Sequence, residues 1–233
     1  MKRLFVTCGA VFALLLSGQA GAATITGKIL YSGPKPVVRH IDMSAVPACQ
    51  RAHPAPQKAE TVVVNPNGTL RYTFVWIKAG LPPNQKFPTP AAHAELVQQG
   101  CMYKPHVLAV MTNQPIDIKN DDPINHNIHP LPKINQEWNE SQPPKDDTKI
   151  KIFPREEVMI PVKCNVHPWM RAYIAVVHHP FFAVTGADGT YTIKGLPAGT
   201  YTLEAWHETY GTMDQRITVG ANDTKKIDFT YKK

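Results

Sequence analysis

Twenty-two prolines in 233 residues set the firmest limit on what this chain can fold into. A proline inside a helix removes a hydrogen bond and strikes the preceding turn, so long helices are disfavoured. The apolar residues fall instead in short β-branched runs. ATITGKIL (23–30), ETVVVNPNGTLRYTFVWI (60–77), HVLAVM (106–111), PIDIKN (115–120), KIKIF (149–153), VMIPVKC (158–164) and RAYIAVV (171–177) read as strands ended by turn residues. Asn65-Pro66-Asn67-Gly68 has the composition of a hairpin turn. One segment, AAHAELVQQG (91–100), reads as a short helix stopped by Gly100. Many short strands at this spacing predict an all-β chain of sandwiches or barrels.

The first 22 residues have the layout of an export signal. Lys2 and Arg3 give the positive start, Leu4 to Leu16 is apolar, and Ala20-Gly21-Ala22 offers small residues for cleavage. The apolar run is short for a spanning helix, and no later segment reaches that length. The mature chain is therefore expected to be periplasmic or otherwise extracytoplasmic, with no transmembrane segment. Cys8 leaves with the signal. Cys49, Cys101 and Cys164 remain, an odd number for an oxidising compartment. Pairing Cys49 with Cys101 leaves Cys164 over, and that bridge would stabilise the fold by roughly 4 kcal/mol in the chain-entropy account. A free thiol in such a compartment is a liability unless something, such as a metal, occupies it.

The net charge is +7, of which Lys2 and Arg3 depart with the signal to leave +5. This mild excess suits an acidic protein partner or an anionic surface. No Lys/Arg cluster is interleaved with aromatics, so nucleic acid is not an expected partner.

From about residue 180 the texture changes to tight antiparallel strands. GADGTYTIKGLPAGTYTLEAWH (186–207) has an Asp188-Gly189 turn, alternating Tyr191 and Ile193, and then Tyr201, Leu203 and Ala205 alternating with polar residues. QRITVG (215–220) and KKIDFTYK (225–232) continue it. Residues 181–233 resemble the carboxypeptidase regulatory-like, transthyretin-like β-sandwich modules. The resemblance implies a small non-catalytic sandwich, with carbohydrate as a ligand class for some relatives. The expected division is a signal over 1–22, a first domain over 23–178 with an elaborated N-terminal half, and the module over 179–233.

CNVHPWM (164–170) sets a cysteine, a histidine and a methionine three residues apart. Cys-x-x-His alone is commonly structural, and Met170 alone would be core. Upstream, NDDPINHNIHP (120–130) offers His126-Asn127 and His129, with His126 lying 38 residues before Cys164. Two imidazoles, a thiolate and a weak thioether suit a type 1 copper ion. Zinc also accepts cysteine and histidine, but a thioether is a poor zinc ligand.

His126-Asn127, then strands, then Cys164-x-x-His167-x-x-Met170 resembles the cupredoxins, the amicyanin- and plastocyanin-like blue copper proteins. The resemblance covers roughly residues 100–178 and implies a Greek-key β-sandwich. It also implies one copper ion with His126, Cys164, His167 and Met170 as ligands and Asn127 tying the two ligand loops together. His167 would reach the surface, where Pro168 and Trp169 form an apolar docking patch. The implied function is one-electron transfer between redox proteins such as a cytochrome or a dehydrogenase, and not an enzymatic one. Alternatives are a copper storage or delivery protein, or a carbohydrate-binding or adhesion protein acting through the C-terminal module. A second metal site at His178, His179 and His207 is a lesser reading, and His129 reads as a loop residue.

Overall fold

The structure, a computed structural model, describes residues 21–144 and 146–232. Apart from Gly21 and Ala22, the expected export signal lies outside the described residues, as does Cys8. The chain begins with β1 (Ala23–Ser32), a short helix α1 (Pro47–Arg51) and β2 (Phe74–Ala79). Next come β3 (Ala94–Gln98), β4 (Tyr103–Lys104), β5 (Val107–Met111), β6 (Ile116–Asn120), β7 (His126–Pro130) and β8 (Glu140–Gln142). β9 (Lys149–Lys151), β10 (Glu157–Lys163) and β11 (Arg171–Val177) complete the middle of the chain. The C-terminal part supplies β12 (Phe182–Val184), β13 (Thr190–Leu196), β14 (Gly199–His207), β15 (Gly211–Val219), β16 (Thr224–Lys226) and β17 (Phe229–Lys232). The expectation of an all-β chain holds.

Two sandwiches result. In the first, a sheet ordered β4-β3-β6-β9 packs on one ordered β5-β11-β10-β7-β8. Its core joins Leu96, Tyr103, Ile116 and Ile118 to Val110, Ile128, Ile160 and Ile174. In the second, β13-β1-β16, with β17 also on β1, packs on β12-β2-β14-β15. Ile25, Ile29, Ile193 and Phe229 meet Val75, Ile77, Leu203 and Ala205 there. A third apolar cluster joins the sandwiches back to back, with Phe74 and Trp76 against Val107, Met159, Ala175 and Val177. β2 explains how one strand serves two layers. Its run Phe74-Val75-Trp76-Ile77 is apolar at every position, so odd residues enter the second core while even ones face the first sandwich.

This pairing corrects the expected division at 178. β1 pairs with β13, β16 and β17, and β2 lies between β12 and β14, so both early strands belong to the C-terminal sandwich. The cause is edge satisfaction: strands from 179 onward offer open edges and half a core, which β1 and β2 complete. Residues 31–104 are thus not simply an elaboration of the first domain.

A second correction concerns 91–100. AAHAELVQQG is no helix; it supplies β3, parallel to β6 from Ala94↔Ile116 to Gln98↔Asn120. Ten residues are too few to recover the cost of helix nucleation in isolation, whereas β6 offers a ready ladder. Leu96 and Gln98 then point inward together, and Gln98 donates to Gln142 at 2.5 Å. The 65–68 turn is as expected, with Gly68 in the left-handed region and its amide on the Asn65 carbonyl at 2.9 Å. Cys49 and Cys101 are bridged, and Cys164 is free and buried.

Glu157, at the start of β10, holds the loop between β7 and β8 onto the first sandwich. Its carboxylate accepts from the amides of Lys133, Ile134 (3.1 Å) and Asn135 (2.9 Å), and from the Asn135 side chain (3.0 Å). Burial would raise its pKa, but these donors outweigh burial and hold it below the usual carboxylate range. Since the folded value is depressed, the stabilisation is complete above the unfolded pKa and is lost as pH falls through the folded one. Glu157→Ala should cost about 1–3 kcal/mol at neutral pH, chiefly by leaving the buried Asn135 amide and side chain unpaired. Denaturant melts should show that gap narrowing in acid; an equal gap at both pH values would exclude the carboxylate's charge as its source.

Candidate metal centre

Two loops at one end of the first sandwich bring the expected residues together. Asn120 organises the first loop: its side-chain amide donates to the carbonyls of Ile124 (2.9 Å) and Gln142 (2.8 Å), and its oxygen accepts from the Asp122 amide (3.1 Å). That turn delivers His126 at the first position of β7. The second loop joins β10 to β11, which pair up to Lys163↔Arg171. Within it the Cys164 amide donates to the Met170 carbonyl (3.2 Å), and the Met170 amide donates to the His167 carbonyl (3.0 Å). The chain folds back on itself and aims Cys164 and His167 inward.

His126, Cys164 and His167 are all buried, and one donor atom from each lies within 4.8 Å of the others. The two Nδ1 atoms are 2.9 Å apart, and Cys164 Sγ is 3.7 Å from His167 Nδ1. Met170 is fully buried in the adjoining core, at the end of the same loop. Asn127 accepts at Oδ1 from the Asn165 amide (2.5 Å), linking β7 directly to the Cys-His-Met loop.

The local electrostatics suit a cation. Burial alone would raise the Cys164 thiol, yet the His126 ring and the nearby amides together hold it below its ordinary value. Burial opposes protonation of His126 as well, but the Asp122 carboxylate and the Cys164 sulfur outweigh it, so that its pKa is raised. His167 is lowered, by burial first and then by the neighbouring His126. A thiolate-prone sulfur beside a neutral imidazole, in a buried pocket, is a donor set for a thiophilic metal.

Some expectations fail. His167 is only 2 % exposed, so it does not form the surface. Trp169 is half-buried, with its indole N–H on the Cys101 carbonyl at 3.0 Å, and the exposed apolar tip is Val166 with Pro168. Within this loop His167 is buried and Trp169 turns inward, while Val166 and Pro168 stay exposed. His178, His179 and His207 are not brought together. His178 pairs with Glu156; His179 donates to the Ile77 carbonyl at 2.9 Å; His207 accepts from the Thr209 amide at 3.1 Å. His129 is not a loop residue but lies in β7, where it pairs with Glu137 at 2.7 Å, outside the cluster.

The sequence reading overlooked Asp122. Its carboxylate accepts from His126 Nε2 at 2.8 Å, and the signal for it was an acidic residue four positions before a candidate ligand. Tyr103, whose hydroxyl donates to the Asn127 carbonyl at 2.5 Å, had no signal beyond being an aromatic in a strand. Cys101 lies near Asp122 and His126 too, but its sulfur is committed to the disulfide.

The chain is therefore a pair of β-sandwiches with a buried His-Cys-His cluster at one end of the first. Residues 167–232 match the carboxypeptidase regulatory-like domain family. No curated protein sequence matches the chain. Among solved structures it is similar to a purple cupredoxin from Nitrosopumilus maritimus, at 20% identity and a TM-score of 0.31, over 36% of this chain and 98% of that one. A Cu(I) amicyanin variant is 16% identical with a TM-score of 0.32, over 44% of this chain and 97% of that one. A Cu-containing nitrite reductase from Thermus scotoductus SA-01 is 15% identical with a TM-score of 0.33; the match covers 43% of this chain and 26% of the reductase. At such distances a metal assignment rests on the donor set itself.

Proposed function

We propose that this protein is an exported type 1 copper protein that carries single electrons between redox proteins. The observation that carries the reading is the convergence of two imidazole Nδ1 atoms and one thiol sulfur, all buried, on a single point between two loops. His126, Cys164 and His167 would hold the ion, with the Met170 thioether as a weaker fourth donor. Bound copper supplies a one-electron couple between Cu(I) and Cu(II). The chain's part is to fix the donors beforehand: Asn127 locks one loop to the other, Asp122 orients His126, and burial keeps water out. A carrier needs that rigidity, because donors that do not move add little to the reorganisation at each transfer.

The face above the site supports protein docking. Val166 and Pro168 are exposed at the tip, with Lys163 and Arg171 exposed beside them around a groove of about 450 Å³ that Cys164 also lines. An apolar tip with a cationic flank suits a redox partner whose docking site has an acidic rim. No helix among the described residues is long and apolar enough to cross a membrane, and export to the periplasm stays part of the proposal.

Voltammetry with a chelator chase tests the carrier role against copper delivery. A carrier should give a reversible one-electron wave and lose copper slowly, whereas rapid copper loss to the chelator would favour delivery. Met170→Gln tests Met170 as a donor in the same cell. Exchanging a thioether for an amide oxygen favours Cu(II), so the potential should fall while copper stays bound. An unchanged potential with a stability loss of about 1–3 kcal/mol would leave Met170 as core alone.

A further inference from the structure

The turn at Gly100-Cys101 touches both loops of the cluster, and nothing in the ligand pattern requires it to. Its two successive amides, from Gly100 (2.6 Å) and Cys101 (2.7 Å), donate to the two carboxylate oxygens of Asp122. Asp122 in turn receives His126 Nε2–H at 2.8 Å. The Cys101 carbonyl accepts the indole N–H of Trp169, which lies inside the Cys-His-Met loop, at 3.0 Å. Both turn residues are in the left-handed region, with φ of 65° for Gly100 and 53° for Cys101. For a cysteine that conformation is costly and persists only where its surroundings enforce it. The surroundings here are the segment carrying α1. Cys49 bonds Cys101 covalently, and His53 contacts the Gly100 carbonyl through Nε2 at 2.6 Å.

We infer that the Cys49–Cys101 bridge and Asp122 form a positioning unit for the metal centre, holding His126 through its Nε2–H and the Cys164–Met170 loop through Trp169. This gives the α1 segment a role in the site through Cys49, which lies 52 residues before Cys101 in the chain. The physical logic is one of orientation. A carboxylate on Nε2–H fixes the tautomer that leaves Nδ1 bare, and Nδ1 is the atom that faces Cys164 and His167. The carboxylate can do so only if it is itself held, and the two turn amides hold both of its oxygens. The alternative, a disulfide that merely stabilises the fold, would act on the melting temperature and not on the His126 ring.

The inference rests on the copper reading only for its metal readout, so two measurements are made. The first uses metal-free full-length mature protein and ring-nitrogen NMR. His126 Nε2–H should be observed and slow to exchange; it should broaden or vanish in Asp122→Ala and in the Cys49→Ala/Cys101→Ala double variant. If the double variant does not fold, opening the bridge in folded wild type with a phosphine reductant makes the same comparison. The second titrates copper into the same proteins. Affinity should drop about 10–100-fold on losing the carboxylate or the bridge. Val219→Ala, in the core of the other sandwich, should lower stability with affinity unchanged. A slow Nε2–H that persists without the bridge, or a bare Nε2 in wild type, overturns the inference. Wild type that takes up no copper would overturn the functional reading instead, while the ring-nitrogen result still decides this one.

Discussion

Copper-loaded Cys164→Ser protein should lack the intense blue band. Intense visible absorption of a thiolate–Cu(II) centre comes from charge transfer out of the sulfur, and a serine hydroxyl has no comparable orbital to supply it. Cys164 is the one free cysteine among the described residues, so no second sulfur of that kind is at hand to replace it. The fold should survive. Cys164 closes a hairpin whose strands pair on both sides, and its amide bond to the Met170 carbonyl does not involve the side chain. Replacing the buried thiol with a hydroxyl should cost no more than about 1–3 kcal/mol. Absorption spectra and thermal melts of the two proteins check this together. A blue serine variant would remove Cys164 from the ligand set.

A fragment spanning residues 179–233 should not fold, although it holds most of the family match over 167–232. In the full chain β14 has β2 on one side and β15 on the other, and β13 and β17 both lie on β1. Removing β1 and β2 takes Ile25, Ile29, Val75 and Ile77 out of the second core at once, each of them buried to within 1 %. Losing even one such side chain costs about 2–5 kcal/mol, comparable with the whole stability of a small domain. The expected result is an amide NMR spectrum without dispersion for the fragment and a dispersed one for residues 23–233. A well-dispersed fragment spectrum would show that the C-terminal strands are a self-sufficient unit. A glycan screen of the C-terminal sandwich accordingly needs the full mature chain.

What could be read in the sequence was what is local. Most of the β-branched runs became strands, although 60–77 did so only from Phe74 and carries isolated bridges before it; the Asn-Pro-Asn-Gly turn formed, and an odd cysteine count pointed to the Cys49–Cys101 pair. The candidate donors were legible because three of them sit within seven residues and His126 carries its Asn127 beside it. What was hidden was non-local. Nothing in ATITGKIL says that its partners lie about 170 residues away in β13, and AAHAELVQQG carries helix-forming residues whose strand state is imposed by β6. The inward turn of Trp169 ends on an acceptor, the Cys101 carbonyl, 68 residues distant. Asp122 belongs with these, since its value lies in amides contributed by the Gly100-Cys101 turn.

The central claim is that one copper ion sits among His126, Cys164 and His167. A stoichiometric Cu(II) titration of the purified mature protein, followed by visible absorption, tests it most directly. The predicted result is an intense blue band that grows linearly and stops at one copper per chain. A protein that stays colourless through that point, or that keeps binding copper without a break, would contradict it.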